Sequence, residues 1–85
     1  MTKPRILLID DDKTALDGLV KILVLDGYPA SGVLSGYEAL NVLSRRSFDI
    51  IVTDMKLPGM GGLSLIHELR KREEPVAIVV ITAYS

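Results

Sequence analysis

The residues best placed to do chemistry in this chain are acidic, and each group follows an apolar run. Asp10-Asp11-Asp12 comes directly after Ile6-Leu7-Leu8-Ile9, and Asp54 comes directly after Ile50-Ile51-Val52-Thr53. Thr82-Ala83 follows Ala77-Ile78-Val79-Val80-Ile81. If the first and third of the strands these runs imply are neighbours, Asp10, Asp11 and Asp54 meet at one edge of a sheet. Carboxylates so crowded repel one another unless a cation neutralises them. An all-oxygen set favours a hard ion such as Mg²⁺ or Mn²⁺. A carboxylate beside that ion can attack phosphorus and form an aspartyl phosphate. The Thr82 hydroxyl can donate to phosphoryl oxygens, and the loop from Lys56 to Gly59 can lend a backbone carbonyl to the metal. The plainer readings are weaker. A helix N-cap needs only one side chain, and Asp12 is enough for it. Asp54 alone would more often be a turn residue, but together with the acidic pair and Thr82 it reads as functional.

The elements that must position these groups follow from periodicity. The three β-branched runs are short and continuous, as strands buried on both faces are. A weaker stretch from Tyr28 to Leu34 contains Pro29 and reads as an edge strand, because proline cannot donate to a ladder. Leu16, Leu19, Val20 and Leu23 recur at helical spacing, with Asp12 at the start and Gly27 where a helix would end. Ser35 and Glu38 have capping-box spacing ahead of a helix that packs through Ala39, Leu40, Val42 and Leu43. A third helix is expected from about Gly62 to Arg72, with Leu63, Ile66 and Leu69 inward, basic residues in its last turn and Pro75 as a stop. The order βαβαβαβ predicts an α/β parallel sheet with right-handed crossovers. Ligands of such sheets gather beyond the carboxyl ends of the strands, where the acidic residues and Thr82 lie.

Composition narrows the function classes. The chain has 85 residues, 48% of them hydrophobic, with ten basic against eleven acidic side chains. That balance lacks the basic footprint of a nucleic-acid binder. With no cysteine, disulfides and thiolate metal sites are excluded. The apolar runs are far short of the roughly 20 residues a bilayer demands, and Met1 to Arg5 has no signal-peptide core. A cytoplasmic protein without membrane or direct nucleic-acid contact is expected. His67 is a lone helical histidine and is given no role. Arg45-Arg46 and Arg70-Lys71-Arg72 read as solvated helix ends.

Three segments together resemble the receiver domain of response regulators in two-component signalling, of the CheY-like superfamily. They are Ile6 to Asp12, Phe48 to Met60 and Val80 to Ala83. The resemblance runs the length of the chain and implies a flavodoxin-like doubly wound sheet in the order 2-1-3-4. It implies a sensor histidine kinase as phosphoryl donor, Asp54 as acceptor, and Mg²⁺ (or Mn²⁺) on Asp11, Asp54 and the Lys56 carbonyl, with Asp10 acting through water. Thr82 matches the switch hydroxyl and Ala83 the small residue beside it. Lys56 and Tyr84 match positions whose side chains influence phosphate lifetime. The stretch Thr53 to Met60 resembles the NtrC-like loop of transcriptional activators, so an output domain or downstream protein is implied. Such a domain is no enzyme beyond its own phosphorylation and dephosphorylation.

The family continues through a further helix, a fifth strand carrying an aromatic residue, a lysine after that strand, and a last helix. Residues 1–85 are therefore expected to be a receiver domain incomplete at its C-terminus. Three helices cannot cover both faces of four apolar strands. Either Ile78 and Val80 or Val79 and Ile81 should be bare, beside an unpaired edge, favouring a dimer or swapped oligomer. Two alternatives stand beside this reading. One is a haloacid-dehalogenase-like phosphatase fragment, since Asp10-Asp11-Asp12 contains Asp-x-Asp. The other is a receiver-like interaction module that takes no phosphate.

Overall fold

The computed structural model describes residues 2–57 and 59–81. Four parallel strands and three helices alternate along them: β1 (Ile6–Ile9), α1 (Lys13–Leu25), β2 (Ala30–Val33), α2 (Gly36–Leu43), β3 (Ile50–Asp54), α3 (Gly62–Lys71) and β4 (Ala77–Ile81). The sheet order is β2-β1-β3-β4, with all three pairings parallel. The Pro29-containing stretch does lie at an edge, although its paired part is only Ala30–Val33. Ile6 pairs with Ile50 and Ile9 with Thr53, a register that sends Asp10 and Asp54 out of the same end of the sheet.

β1 is the element buried from end to end. Leu7 and Ile9 point into the larger core, built with Ala39, Leu40 and Leu43 of α2 and Leu65 and Leu69 of α3. Ile6 and Leu8 point the other way, into a smaller cluster closed by Leu16 of α1 and flanked by Val20, Leu23, Ile50 and Val52. Two helices thus cover one face and a single helix the other. The expectation of strands buried on both sides holds for β1 only. β3 alternates between buried and half-buried residues, and in β4 Val79 and Ile81 are the bare pair, 49% and 52% exposed.

Helix ends follow local chemistry. The Asp12 side chain accepts from the Ala15 N–H and caps α1. At the other end Gly27 adopts φ +94°, a left-handed conformation that costs glycine nothing. There the Tyr28 N–H donates to the Leu23 carbonyl and the Gly27 N–H to that of Val24, closing the last turn. Ser35 caps α2 through the Glu38 N–H. Glu38 does not complete the expected reciprocal box, because its carboxylate accepts from the Leu34 N–H instead of that of Ser35. α3 ends with the same two-bond pattern as α1, from Glu74 to Leu69 and from Glu73 to Arg70. Here the left-handed position is held by Glu73, at φ 58°.

Two of the inward residues expected from spacing face outward. Leu63 is 68% exposed, and Leu65 takes its place in the core. The reason lies at Gly62, where an added Cβ would sit 3.2 Å from the Asp54 carbonyl oxygen and the Met55 Cα. That close approach turns the Gly62 face of α3 inward, and Leu65 and Leu69 share it one and two turns on. Leu19 of α1 is also largely exposed, because no second helix stands beside α1 among the described residues.

Candidate functional site

Asp10, Asp11 and Asp54 each offer a carboxylate oxygen, and these oxygens all lie within 4.8 Å of one another. Backbone groups orient two of the three. The Asp12 N–H donates to Asp10 Oδ1 at 3.0 Å, and the Lys56 N–H donates to Asp54 Oδ1 at 3.2 Å. Asp10 and Asp54 are half-buried and Asp11 is exposed, so the site opens to solvent with its base set in the sheet. Beneath it Thr53 is fully buried, and its hydroxyl donates to the Asp54 carbonyl at 3.1 Å.

The donor set suits a hard divalent cation. It is all oxygen, it concentrates negative charge, and it leaves one side open for waters or a phosphoryl oxygen. Asp12 stands apart, its carboxylate used as the α1 cap. The Asp-x-Asp pattern required by the phosphatase alternative therefore lacks its second acid in the cluster.

The loop after β3 is held at several points. The Met55 N–H donates to the Ile81 carbonyl at 2.9 Å, and the Met55 carbonyl accepts from the Gly62 N–H at 2.9 Å. Leu57 is buried in the larger core. Met60 packs partly buried against that core. Lys56 itself is exposed. Thr82, Ala83 and Tyr84, the expected switch and lifetime positions, lie outside the described residues. Spacing gave no sign of Leu57 as an anchor or of Tyr37 against Gly59, since each contact joins segments whose approach only the fold defines. His67 and the arginines at the helix ends are exposed. Arg46 and Arg5 stack on Phe48, 5.2 and 5.7 Å from its ring centroid.

A parallel sheet in this order, with an acidic cluster beyond β1 and β3, defines a receiver-type signalling domain, and comparison with known proteins agrees. The family model for the response regulator receiver domain matches residues 6–85. The chain belongs to that family and is a receiver domain of two-component response regulators. A response regulator receiver protein of Anaeromyxobacter sp. (strain Fw109-5) is 39% identical over 81 residues, which cover 94% of this chain and 34% of that protein. The transcriptional regulatory protein TctD of Salmonella typhimurium is 33% identical over 81 residues, 95% of this chain and 36% of its own length. The chain thus spans about a third of either relative. The crystal structure of response regulator TrrA from Thermotoga maritima, in complex with Mg²⁺-BeF, superposes with a TM-score of 0.86 at 32% identity. That match covers 98% of this chain and 72% of TrrA. Among the described residues no helix is long and apolar enough to cross a membrane.

Proposed function

We propose that Asp54 accepts a phosphoryl group from the phosphohistidine of a sensor histidine kinase. The observation that carries this is the convergence of Asp10, Asp11 and Asp54 at the carboxyl ends of β1 and β3. A carboxylate oxygen of Asp54 attacks phosphorus while the P–N bond of the donor breaks, and its electron pair returns to the imidazole. Hydrolysis later reverses the state, water attacking phosphorus and the Asp54 carboxylate leaving. The chain in this sense promotes only its own phosphorylation and dephosphorylation.

Asp11, Asp54 and the Lys56 main-chain carbonyl would hold Mg²⁺, or Mn²⁺ in its place, with Asp10 acting through water. The ion would neutralise charge on the phosphoryl oxygens. The local hydrogen bonds already aim Asp10 and Asp54, which limits the reorganisation needed when charge arrives. Thr82 directly follows β4, the strand whose Ile81 pairs with Asp54. Its hydroxyl would meet the new phosphoryl oxygens beside the small Ala83, and the Lys56 and Tyr84 side chains would govern access of water.

The kinase partner, a transcriptional output region and a cytoplasmic location belong to the same reading, supported by the family match and the greater length of the relatives. Residues 1–85 are read as a receiver domain incomplete at its C-terminus, and among the described residues β4 has no strand on its outer side. That edge and the exposed Val79 and Ile81 would draw copies of the 85-residue chain together. Light scattering tests that reading, and a monomer of 9.3 kDa with cooperative melting would remove it.

The test of phosphoryl transfer is incubation with Mg²⁺ and acetyl phosphate, or with a cognate phosphorylated kinase, followed by intact-mass analysis. One phosphoryl group should appear and be absent from Asp54→Asn. Equal labelling of that variant would refute the assignment.

A further inference from the structure

The first turn of α2 and the loop after β3 interlock through two glycines. At Gly36 of α2, an added Cβ would lie 3.0 Å from Met60 Sδ, 3.1 Å from its Cγ and 3.2 Å from its Cβ. At Gly59 of the loop, an added Cβ would lie 2.9 Å from a ring carbon of Tyr37. Each segment therefore presents a bare backbone where the other presents a large side chain. Gly59 has φ +79°, so glycine there serves two needs, the left-handed turn and room for the ring.

Tyr37 is 61% exposed, so its ring contributes little to the core. What it does is cover the far side of a loop already secured elsewhere. The near ends are tied by Met55 to Ile81 and Gly62 to Met55, and Leu57 is sunk in the core. At the turn, Met60 packs against Gly36 and the larger core and Gly59 lies against Tyr37, while Lys56 sits between Met55 and Leu57.

We propose that Tyr37 is a positioning residue for the metal-binding edge. Its ring, lying against Gly59, keeps the β3–α3 loop seated, and with it Lys56, whose N–H donates to Asp54 Oδ1. This rests on the reading that Asp11, Asp54 and the Lys56 carbonyl hold a divalent cation. The ring does the work and the hydroxyl is dispensable, because a ring carbon makes the close approach while the oxygen stands 3.7 Å off.

The experiment measures Mg²⁺ affinity by isothermal titration calorimetry, with thermal melting alongside, in wild type, Tyr37→Ala and Tyr37→Phe. Tyr37→Ala should weaken Mg²⁺ binding about tenfold, the low end for losing a group that orients a ligand, while Tyr37→Phe binds as wild type does. Amide exchange should speed up at Lys56 and Gly62 in Tyr37→Ala and stay unchanged in β1 and β3. That contrast separates loosening of the loop from general unfolding, which would raise exchange everywhere. Mg²⁺ affinity of Tyr37→Ala within twofold of wild type would overturn the proposal, as would equal weakening in Tyr37→Phe. If wild type itself bound no Mg²⁺, the metal-site reading would fail first, and the exchange data would still report whether Tyr37 seats the loop.

Discussion

Gly32 in β2 faces Leu16, the one buried residue of α1, and substitution there tests how α1 is docked. A Cβ at Gly32 would lie 2.8 Å from Leu16 Cγ and Cδ1 and 3.0 Å from Cδ2. Carbon atoms pack best at about 3.5–4.0 Å, so the whole isopropyl group must move. Overpacking of this kind costs about 1–3 kcal/mol. Replacing glycine within a strand returns about 0.5–1 kcal/mol. Gly32→Ala should therefore destabilise by a net amount of up to about 2.5 kcal/mol, lowering the melting temperature by up to roughly 20 °C in a domain of this size. The assay is a double-mutant cycle by thermal and urea denaturation, followed by far-UV circular dichroism. Leu16→Ala alone should cost about 2–5 kcal/mol, and sucrose in every sample keeps the weakest variant folded. In the Leu16→Ala background the obstructing atoms are gone, so Gly32→Ala should become neutral or stabilising, giving a coupling of about 1–3 kcal/mol. Equal costs of Gly32→Ala in both backgrounds would refute this account of the α1–β2 contact. Because α1 begins directly after Asp12, Gly32→Ala should also weaken Mg²⁺ binding, whereas a purely local clash would leave affinity untouched.

Ser35→Ala removes the cap of α2 and should cost about 1 kcal/mol, a fall of roughly 4–8 °C on melting. Glu73→Gly should stabilise by about 0.5–1 kcal/mol, since relief of a left-handed non-glycine residue outweighs the added freedom of the unfolded chain. Denaturant midpoints would show it, and an unchanged or lower midpoint would contradict the conformation at Glu73. Mg²⁺ at ten times its dissociation constant should raise stability by about 1.4 kcal/mol, or roughly 6–11 °C. A chelator should reverse that shift and Asp11→Asn should greatly reduce it, with differential scanning fluorimetry as the readout.

The acidic edge was legible in the sequence because strand ends are. Asp10 and Asp54 leave neighbouring parallel strands one residue beyond the Ile9–Thr53 pair, so continuous apolar runs followed by aspartate locate both without knowledge of side-chain contacts. Helix phase was not legible in the same way. Leu63-Ile66-Leu69 and Gly62-Leu65-Leu69 both fit helical spacing, and the approach of Gly62 to the β3 backbone decides between them. Alternation in β4 likewise marks two faces of equal apolarity without saying which one α2 and α3 will cover. The Glu38 carboxylate accepts from the Leu34 N–H and not from that of Ser35, a choice that spacing leaves open. Tyr37 and Gly59 illustrate the remainder, a contact between two unremarkable positions that exists only once α2 and the loop are side by side.

The pairing of β1 with β3 has a consequence for how the molecule comes into being. Asp11 follows β1 and Asp54 ends β3, strands that sit together in space but are separated along the chain by α1, β2 and α2. Parallel strands so divided meet late in folding, because a long stretch must be ordered before their contact repays its entropy. Chemical competence is therefore a property of the finished topology. A nascent or partly unfolded chain carries every aspartate and yet cannot gather them, so the acidic cluster exists only once the fold is complete.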